Sequence, residues 1–507
     1  MATGIENMMS KRYENIINAA LFVTLAAIVL SGLTWLFRSN DYLGRANISG
    51  FRREKDIDVV FIGPSTVMDY YDPFEAWGEY GIVSYNYSGV GIRGNLTKEY
   101  LEDIRKSHDP MVYVVDLTTF EDEGSDINEG GLRNWSDSLS PVSTVRLKGL
   151  THYLRTHDIA DQDIPSYYLD LIRYHNNTDN LKNSLNWLFL NPSNRRGSRR
   201  GFEPLLEHVV SDMPQISEER MDGSRVRTED LDGILDYCDD HDLNVIFTFN
   251  PVCNGSFDKR NAIGDVITAR GYECMDLNRC YEEMGLDCET DFANAGHVNY
   301  LGALKYTDYM ARYLKDHYDI PDHRGEKGYE DMAEEYEDYK VSSYVWRSGL
   351  ETEIENDRKN AAVGETLKET ADPGEWLAAI DKGNFCIIVC ACNSPAAPKN
   401  GVSDYEAVKN KWNIQENTGF IGVWDNEACL YHTDSETMYE GEIGRTAAKA
   451  ELQVDISEKN SISIDGINIV DNNEDGVCVV IYDTCYRRVV DSVIISVDGD
   501  GEAGLER

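Results

Sequence analysis

The sequence predicts an α/β fold built around a parallel β-sheet. Four apolar runs have the length of buried strands, at residues 57–63, 81–87, 111–117 and 243–249. Helical patterns lie beside them: over residues 95–106, and again over 228–240, apolar side chains recur at the spacing of one helix face. Strands that alternate with helices in this way are typical of βαβ units, whose strands run parallel.

The segment before the first strand predicts a membrane anchor. Residues 16–37 are a run of 22 without a charged side chain, which as a helix would be about 33 Å long and could span a bilayer core. A cleaved signal peptide would have a shorter apolar core with its cleavage site directly behind it, whereas Phe37 is followed by RSNDYLGRA. We therefore expect an uncleaved, single-pass transmembrane helix rather than a signal peptide or a buried helix.

Composition limits what the body of the chain can do. The 507 residues include 90 Asp and Glu against 48 Lys and Arg, a formal charge of −42, and affinity for a nucleic-acid backbone depends on Lys and Arg. Hydrophobic residues make up 41% and only 13 are Pro, which argues against disorder. Basic residues flank the anchor on both sides and therefore do not decide its orientation. The strongly acidic composition of the body is more typical of an exported domain, and we use it to assign the orientation. We expect a cytoplasmic tail at 1–15 and an extracytoplasmic body.

The rest of the chain divides into four predicted parts. A short stalk at 38–54 leads to the sheet domain, 55–318, whose aromatic and irregular segment 118–225 is predicted to be an insertion over one end of the sheet. Residues 319–374 are acidic and helical and are predicted to be a linker rather than a packed core. A smaller α+β domain follows at 375–500, with several short strands and one or two helices.

Ser65 is the first candidate for chemistry. It stands two residues after Gly63, at the end of the first apolar run, where an open parallel sheet presents functional groups and a following helix aims its N–H groups. The segment FIGPSTV is not the G-x-S-x-G elbow, because Val67 replaces the second glycine. The alternative is a serine that only caps a helix.

His297 is the second candidate, in the loop DFANAGHVNY before a long amphipathic helix. A serine hydroxyl becomes a good nucleophile when a base takes its proton, and histidine titrates in the range that allows this at neutral pH. A histidine in a loop is by itself ordinarily a surface residue. Together with Ser65, it predicts a nucleophile at the first strand and a base at the last helix.

Five segments together resemble the SGNH (GDSL) hydrolase superfamily, in its DltD-like, membrane-anchored bacterial branch. They are FIGPST, SYNYSGVG, MVYVVDL, LNVIFTFNPVC and MGLDCETDFANAGHVNYLGALKYTDYMARYL, within residues 55–318. The resemblance implies an SGNH-type three-layer fold, Ser65 as nucleophile, His297 as base, and an oxyanion held by the backbone N–H groups of Ser65 and of Ser88 or Gly89. Asn95 or Asn250 could serve as the oxyanion asparagine. The element RYH at 173–175 also resembles the family, so His175 could line the cleft.

One position departs from the family pattern. The acid expected three residues before the histidine is Asn294 here. An amide can accept a hydrogen bond but does not stabilise the imidazolium, and the same change in a trypsin-like triad lowers turnover about 10⁴-fold. Asp291 could substitute, or serine and histidine could act as a dyad, or the site could be impaired.

Three other patterns compete for a functional interpretation. GVGIRG at 89–94 matches the dinucleotide fingerprint, but the preceding strand is polar, and in the SGNH reading these glycines let backbone amides approach the oxyanion. The cysteines of CIIVCAC have the spacing of a buried strand and no zinc-type partner cluster. The basic run 195–200, with Arg195 and Arg196, is either a solvated loop or a contact for an anionic polymer such as teichoic acid.

The second domain has a separate, diffuse resemblance. FIGVWDNEACLYH, ISIDGINIV and VCVVIYDTCYRRVVDSV, within 375–497, resemble the interleukin-like EMT inducer domain. Relatives of that domain include glycan-binding stem modules, which implies that this part holds carbohydrate. The alternative is a structural spacer.

Two functions remain open from the sequence. The first is a cell-surface esterase or O-acyltransferase, such as an O-acetyltransferase of polysaccharide modification, that works through a serine acyl-enzyme and needs no cofactor or metal. The second is a catalytically impaired protein that binds glycan or a partner such as a membrane-bound O-acyltransferase. The expected partners are a cell-surface polysaccharide or teichoic-acid-like polymer and the membrane, with no nucleic acid.

Overall fold

The computed structural model describes most of the chain. Outside the described residues are 1, 38–46, 49, 121–128, 141, 158–162, 177–197, 227–228, 254, 256, 393–403, 416–417, 426–427, 473–475 and 498–502.

The chain begins with a single long helix, α1 (Ala2–Phe37). Its segment Tyr13–Thr34 has a mean hydropathy of 2.3, and the most apolar part of this segment is not buried against the rest of the protein. By length and composition it can cross a membrane, which agrees with the predicted apolar helix.

A five-stranded parallel sheet forms the centre of the parallel-sheet region, residues 57–318. Its strands are β1 (Val59–Gly63), β2 (Ser84–Ser88), β3 (Val112–Asp116), β4 (Val245–Phe249) and β5 (Glu273–Asp276). Their order is β2-β1-β3-β4-β5, and every neighbouring pair is parallel. Apolar clusters cover both faces of the sheet, which explains why β1, β3 and β4 are nearly continuous hydrophobic runs. The predicted α/β class is confirmed at this level.

Helices connect and cover these strands. In chain order they are α2 (Ser65–Met68), α3 (Pro73–Tyr80), α4 (Thr97–Ile104), α5 (Glu129–Ser138), α6 (Thr144–Thr156), α7 (Ile164–Tyr168), α8 (Asp170–Tyr174), α9 (Glu229–Asp240), α10 (Phe257–Ala269), α11 (Tyr281–Met284) and α12 (Tyr300–His317). Between α11 and α12, the strands β6 (Phe292–Asn294) and β7 (His297–Val298) form a small hairpin. The described part of the insertion is more helical than predicted, since α5 to α8 lie in it.

The predicted linker is one helix of 40 residues, α13 (Glu330–Glu369). Its helical character agrees with the prediction, but it is not a solvated connection. Leu350 is 1% exposed in the core of the parallel-sheet region, and Leu367 is fully buried in a cluster of the C-terminal part. The prediction of a linker followed from the acidic composition, but a few widely spaced apolar residues of this helix pack on both regions.

The antiparallel region, residues 386–506, contains two sheets. Their strands are β8 (Cys386–Ala391), β9 (Phe420–Asp425), β10 (Ala428–Thr433), β11 (Met438–Arg445), β12 (Ala448–Asp455), β13 (Asn460–Ile464), β14 (Ile467–Asn472), β15 (Val477–Asp483), β16 (Arg488–Val497) and β17 (Ala503–Glu506). The sheet orders are β10-β9-β8-β15-β16-β17 and β11-β12-β13-β14. Helices α14 (Pro373–Ile380) and α15 (Asp404–Trp412) accompany them.

Candidate functional site

The nucleophile candidate lies where β1 passes into α2. β1 ends at Gly63, Pro64 occupies the N-cap position, and Ser65 is the first residue of α2. A Cβ atom at position 63 would lie 2.8 Å from Cγ2 of Val67 and 3.0 Å from Cβ of Asp116. Glycine at position 63 therefore allows β1 to pack closely against Val67 and Asp116, just before Ser65 at the carboxyl edge of the sheet.

The β6–β7 hairpin brings His297 to this serine. Asn294 and His297 face each other across the hairpin, and Nε2 of His297 lies 2.7 Å from Oγ of Ser65. The two predicted catalytic residues, 232 positions apart, are thus hydrogen-bonded to each other. This is the geometry in which an imidazole can take a hydroxyl proton.

Asn294 occupies the position behind the imidazole. Its Oδ1 lies 3.0 Å from Nδ1 of His297 and also accepts the backbone N–H of Gly296 at 2.8 Å, while its Nδ2 donates to the backbone oxygen of Ala447 at 2.9 Å. Because an N–H only donates and a carbonyl only accepts, these two backbone partners fix the orientation of the amide. Nδ1 of His297 must then carry the proton, which leaves the Nε2 lone pair for Ser65.

The environment of His297 favours the neutral ring. Burial lowers its pKa below the ordinary value of 6.5, since an imidazolium is poorly solvated there. Within the described residues no carboxylate forms a hydrogen bond with the ring. The histidine is therefore ready to accept a proton, but a charged partner does not stabilise the product of that transfer.

Asp291, the predicted substitute acid, does not reach the imidazole. Its side chain is 1% exposed, pairs with Nζ of Lys305 at 2.6 Å and accepts the N–H of Asp287 at 2.7 Å. The hairpin turns the chain between positions 291 and 297, so that Asp291 supports the loop and α12. Its predicted catalytic role is not supported.

Two predicted oxyanion groups, at Gly89 and Asn95, are engaged elsewhere. The N–H of Gly89 donates to the oxygen of Gly63 at 3.4 Å, and Ser88, the alternative position, is the last residue of β2 and pairs with Gly63 at the end of the β1–β2 ladder. The amide of Asn95 donates to Asp230 at 2.8 Å and is buried. The backbone N–H of Ser65 is available as an oxyanion donor, since the first N–H groups of a helix have no intrahelical partner.

Asn250 and the glycine-rich loop at 89–94, both predicted to help hold the oxyanion, have structural roles. The Asn250 amide donates to the oxygen of Thr66 at 2.9 Å and its Oδ1 accepts from Tyr306. In the glycine-rich loop, a Cβ at Gly94 would lie 3.0 Å from Cα of Phe120. Asn250 therefore braces α2, and this glycine allows close packing of two loops.

Of the predicted substrate-binding residues, the structure places only His175, which does not line the site. His175 is exposed, and its Nδ1 contacts the oxygen of Ile172 at 3.0 Å. Arg195 and Arg196 lie outside the described residues. The neighbouring Arg200 is buried and pairs with Glu54 at 2.6 Å, so this part of the basic run has a structural role.

A cavity of about 410 Å³ opens in front of Ser65 and His297. The residues that line it come from the carboxyl ends of β1, β3 and β4 with the segments that follow them, from α10, and from the β6–β7 hairpin: Pro64, Ser65, Thr66, Leu117, Thr118, Thr119, Phe120, Phe249, Val252, Gly255, Lys259, Arg260, Ile263, Gly296 and His297. Lys259 and Arg260 were not predicted, because two adjacent basic residues in a helix carry no recognisable motif. Only the fold places them beside the serine.

A separate buried cluster joins the two regions. Nδ1 of His208 lies 2.7 Å from Asp357 and 3.4 Å from Sγ of Cys485, and its Nε2 donates to the oxygen of Glu289 at 2.6 Å. The ligand atoms of these three side chains lie within 4.8 Å of one another and are of a kind that can hold a metal ion. Arg445 also pairs with Asp357, at 2.5 Å. The contacts among these groups satisfy the histidine without an ion.

Comparisons with known proteins add little to this geometry. No family model matches the sequence, and no curated protein matches it. Among solved structures, a protein from Streptococcus pneumonia described as a candidate platelet activating factor is 12% identical, with a TM-score of 0.22 over 58% of this chain and 99% of that one. A likeness at that level supports no argument about fold or function.

Proposed function

We propose that this chain is a membrane-anchored SGNH-type serine esterase or O-acyltransferase with an extracytoplasmic body. Its substrates are acyl esters, with acetyl as the first candidate, on cell-wall or exopolysaccharide hydroxyls. The observation that carries the proposal is the 2.7 Å contact between Oγ of Ser65 and Nε2 of His297 at the carboxyl edge of a parallel sheet. The adjoining cavity of about 410 Å³ gives room for a small acyl group and part of its alcohol.

The proposed reaction has one covalent intermediate, and His297 takes up and returns a proton twice, once as the intermediate forms and once as it is resolved. His297 takes the Ser65 proton as Oγ attacks the ester carbonyl, and the backbone N–H of Ser65 supports the oxyanion. The imidazolium then returns its proton to the leaving alcohol, and an acyl-serine ester remains. Water or a sugar hydroxyl, deprotonated by His297, attacks this ester. The bond between the acyl carbon and Oγ of Ser65 breaks, the imidazolium returns its proton to Oγ, and the free acid or the new ester leaves.

Asn294 favours a second candidate function. Without a carboxylate behind His297, the imidazolium formed during the reaction is less stable than in a Ser-His-Asp arrangement. The alternative is a catalytically impaired protein that binds glycan or an assembly partner of a polysaccharide O-acylation system. In either case we propose that the antiparallel region contacts carbohydrate, because its sequence resembles the interleukin-like EMT inducer domain.

Covalent labelling of the full chain in detergent with a fluorophosphonate probe separates the two candidates. The esterase proposal predicts labelling that Ser65→Ala and His297→Ala both abolish. The exposed residues Ser435 and His241 provide matched controls, so Ser435→Ala and His241→Ala should label normally. Folded wild-type protein that does not label would support the binding function instead.

A further inference from the structure

The cavity at Ser65 has the opposite charge to the rest of the protein. The chain carries a formal charge of −42, yet the described residues that line this cavity include two cations, Lys259 and Arg260, and no carboxylate. A local reversal of sign in a concave site concentrates ions of the opposite charge.

Arg260 is a buried charge without a described ion-pair partner. The residue is 7% exposed, and its Nη1 is buried without a hydrogen-bond acceptor. The rings of Phe249 and Phe257 lie 5.7 and 5.4 Å from its Cζ. Within the described part of the chain, no carboxylate oxygen approaches within the 4.0 Å of an ion pair. Arginine is rarely buried in this way unless a partner compensates it.

The surrounding structure is shaped to hold this guanidinium. A Cβ atom at Gly255, whose φ is +155°, would lie 2.8 Å from Nη2 of Arg260, so the glycine leaves space for the charged group. Lys259 is fixed at the cavity wall by a 2.8 Å bond from Nζ to the oxygen of Phe120. Burial lowers the pKa of Arg260, although the more distant Asp276 and Asp116 act against this. A bound anion would relieve that unfavourable burial.

We propose that this cavity is an anion subsite, in which Arg260, assisted by Lys259, binds a carboxylate or phosphate group that the substrate carries close to its acyl ester. A guanidinium presents two parallel N–H groups to such an oxyanion. The identity of the ester depends on the proposed function, whereas the binding of an anion does not depend on the reactivity of Ser65. The substrate class is therefore an anionic ester rather than a neutral glycan acetate.

Calorimetry on the full chain in detergent tests anion binding directly, with succinate and inorganic phosphate as probes. We expect saturable binding of at least one probe, weakened at least about tenfold in Arg260→Gln and less in Arg260→Lys. Arg220, exposed and paired with Asp265 at 2.6 Å, supplies the control Arg220→Gln, which should bind normally. Equal affinity in wild type and Arg260→Gln, or no binding by wild type, would overturn the subsite.

A second variant protects the test against misfolding. If thermal unfolding shows that Arg260→Gln is not folded, Lys259→Met should still weaken binding of the same probe, by a smaller factor than Arg260→Gln would produce. Unchanged affinity in folded Lys259→Met and Arg260→Lys would count against the subsite.

Paired esters connect the subsite to the reaction. The monosuccinate and butyrate esters of 4-nitrophenol differ by one carboxylate on the acyl side, and acetylglycerol with and without a phosphate differs on the alcohol side. The ratio of kcat/KM for the anionic to the neutral member should fall at least about tenfold in Arg260→Gln for the pair that the site prefers; an unchanged ratio in both pairs contradicts the inference. Anion binding without turnover of any ester would support the anion subsite and refute the esterase proposal. Turnover of an ester without anion binding would support the esterase proposal and refute the subsite.

Discussion

The side-chain amide of Asn294 donates a 2.9 Å hydrogen bond to the backbone oxygen of Ala447, 153 residues further along the chain. Ala447 lies in the turn between β11 and β12, and its own N–H donates to Glu207 at 2.7 Å. The turn is therefore held on both sides. Through Asn294, the antiparallel region and the N–H of Gly296 together set which nitrogen of His297 carries the proton.

The variants Glu207→Ala and Glu207→Gln test this connection. Loss of the acceptor for the Ala447 N–H loosens the turn and with it the amide of Asn294, so we expect fluorophosphonate labelling of Ser65 to slow about three- to tenfold in Glu207→Ala. Glu207→Gln keeps an acceptor and should remain near the wild-type rate. Lys449→Ala, at an exposed position of the same hairpin, is the control, and equal rates in all four proteins would show that the turn does not influence the serine.

Replacement of Asn294 by Asp should not simply create a better catalytic triad. A carboxylate oxygen would face the Ala447 oxygen at the present 2.9 Å, and neither atom can donate. We expect the free energy of unfolding to fall by about 1–3 kcal/mol, and the pKa of His297 to rise because the carboxylate stabilises the imidazolium. Chemical denaturation and the pH profile of labelling measure the two effects; wild-type stability with an unshifted profile would refute this account.

Labelling of the wild-type protein should persist into mildly acidic solution. Burial lowers the pKa of His297, so the neutral ring that acts as base remains populated below pH 6.5, and the labelling rate should fall with a midpoint below that value. The unfolded state gains this proton at higher pH than the folded state, so His297 lowers stability progressively as pH drops below about 6.5. A labelling midpoint at or above 6.5 would be incompatible with a partly buried ring that has no carboxylate hydrogen-bonded to it within the described residues.

The packing of α13 is tested by Leu350→Ala. Leu350 is 1% exposed and belongs to the core of the parallel-sheet region, so truncation should lower the free energy of unfolding by about 2–5 kcal/mol. Val345 on the same helix is 59% exposed, and Val345→Ala should change stability by less than about 0.5 kcal/mol. If both substitutions changed the free energy of unfolding by similarly small amounts, the segment would be a solvated linker, as the sequence predicts.

The sequence located the site where the signal was local. Ser65 follows a buried strand directly and His297 precedes a strongly amphipathic helix, so strand and helix periodicity sufficed to propose them. β5 was missed because Glu273–Asp276 has an acidic residue at each end and is only partly buried. The run ISIDGINIV, at 462–470, forms two strands, because Asp465 and Gly466 have φ of 50° and 73° and turn the chain between β13 and β14, a conformation that Asp-Gly favours.

Contacts between distant segments could not be predicted in this way. Nothing near Asn294 indicates that its partner is the carbonyl of Ala447, and nothing in α10 indicates that Arg260 lies beside Ser65. Backbone acceptors have no residue-type signature, and a buried arginine has the same letter as a surface one. Asp291 is predicted as a substitute acid because it is close to His297 in sequence. Closeness in sequence does not determine which way a side chain points.

The length of α13 is itself a constraint. Its 40 residues make a rod about 60 Å long that packs on the parallel-sheet region through Leu350 and on the antiparallel region near Val490, which lies 3.0 Å from the Cβ position of Gly364. One residue inserted between these contacts would rotate one end against the other by about 100°. Related chains should therefore tolerate substitutions on the exposed face of this helix but not single insertions or deletions within it, since the latter would carry Ala447 away from Asn294.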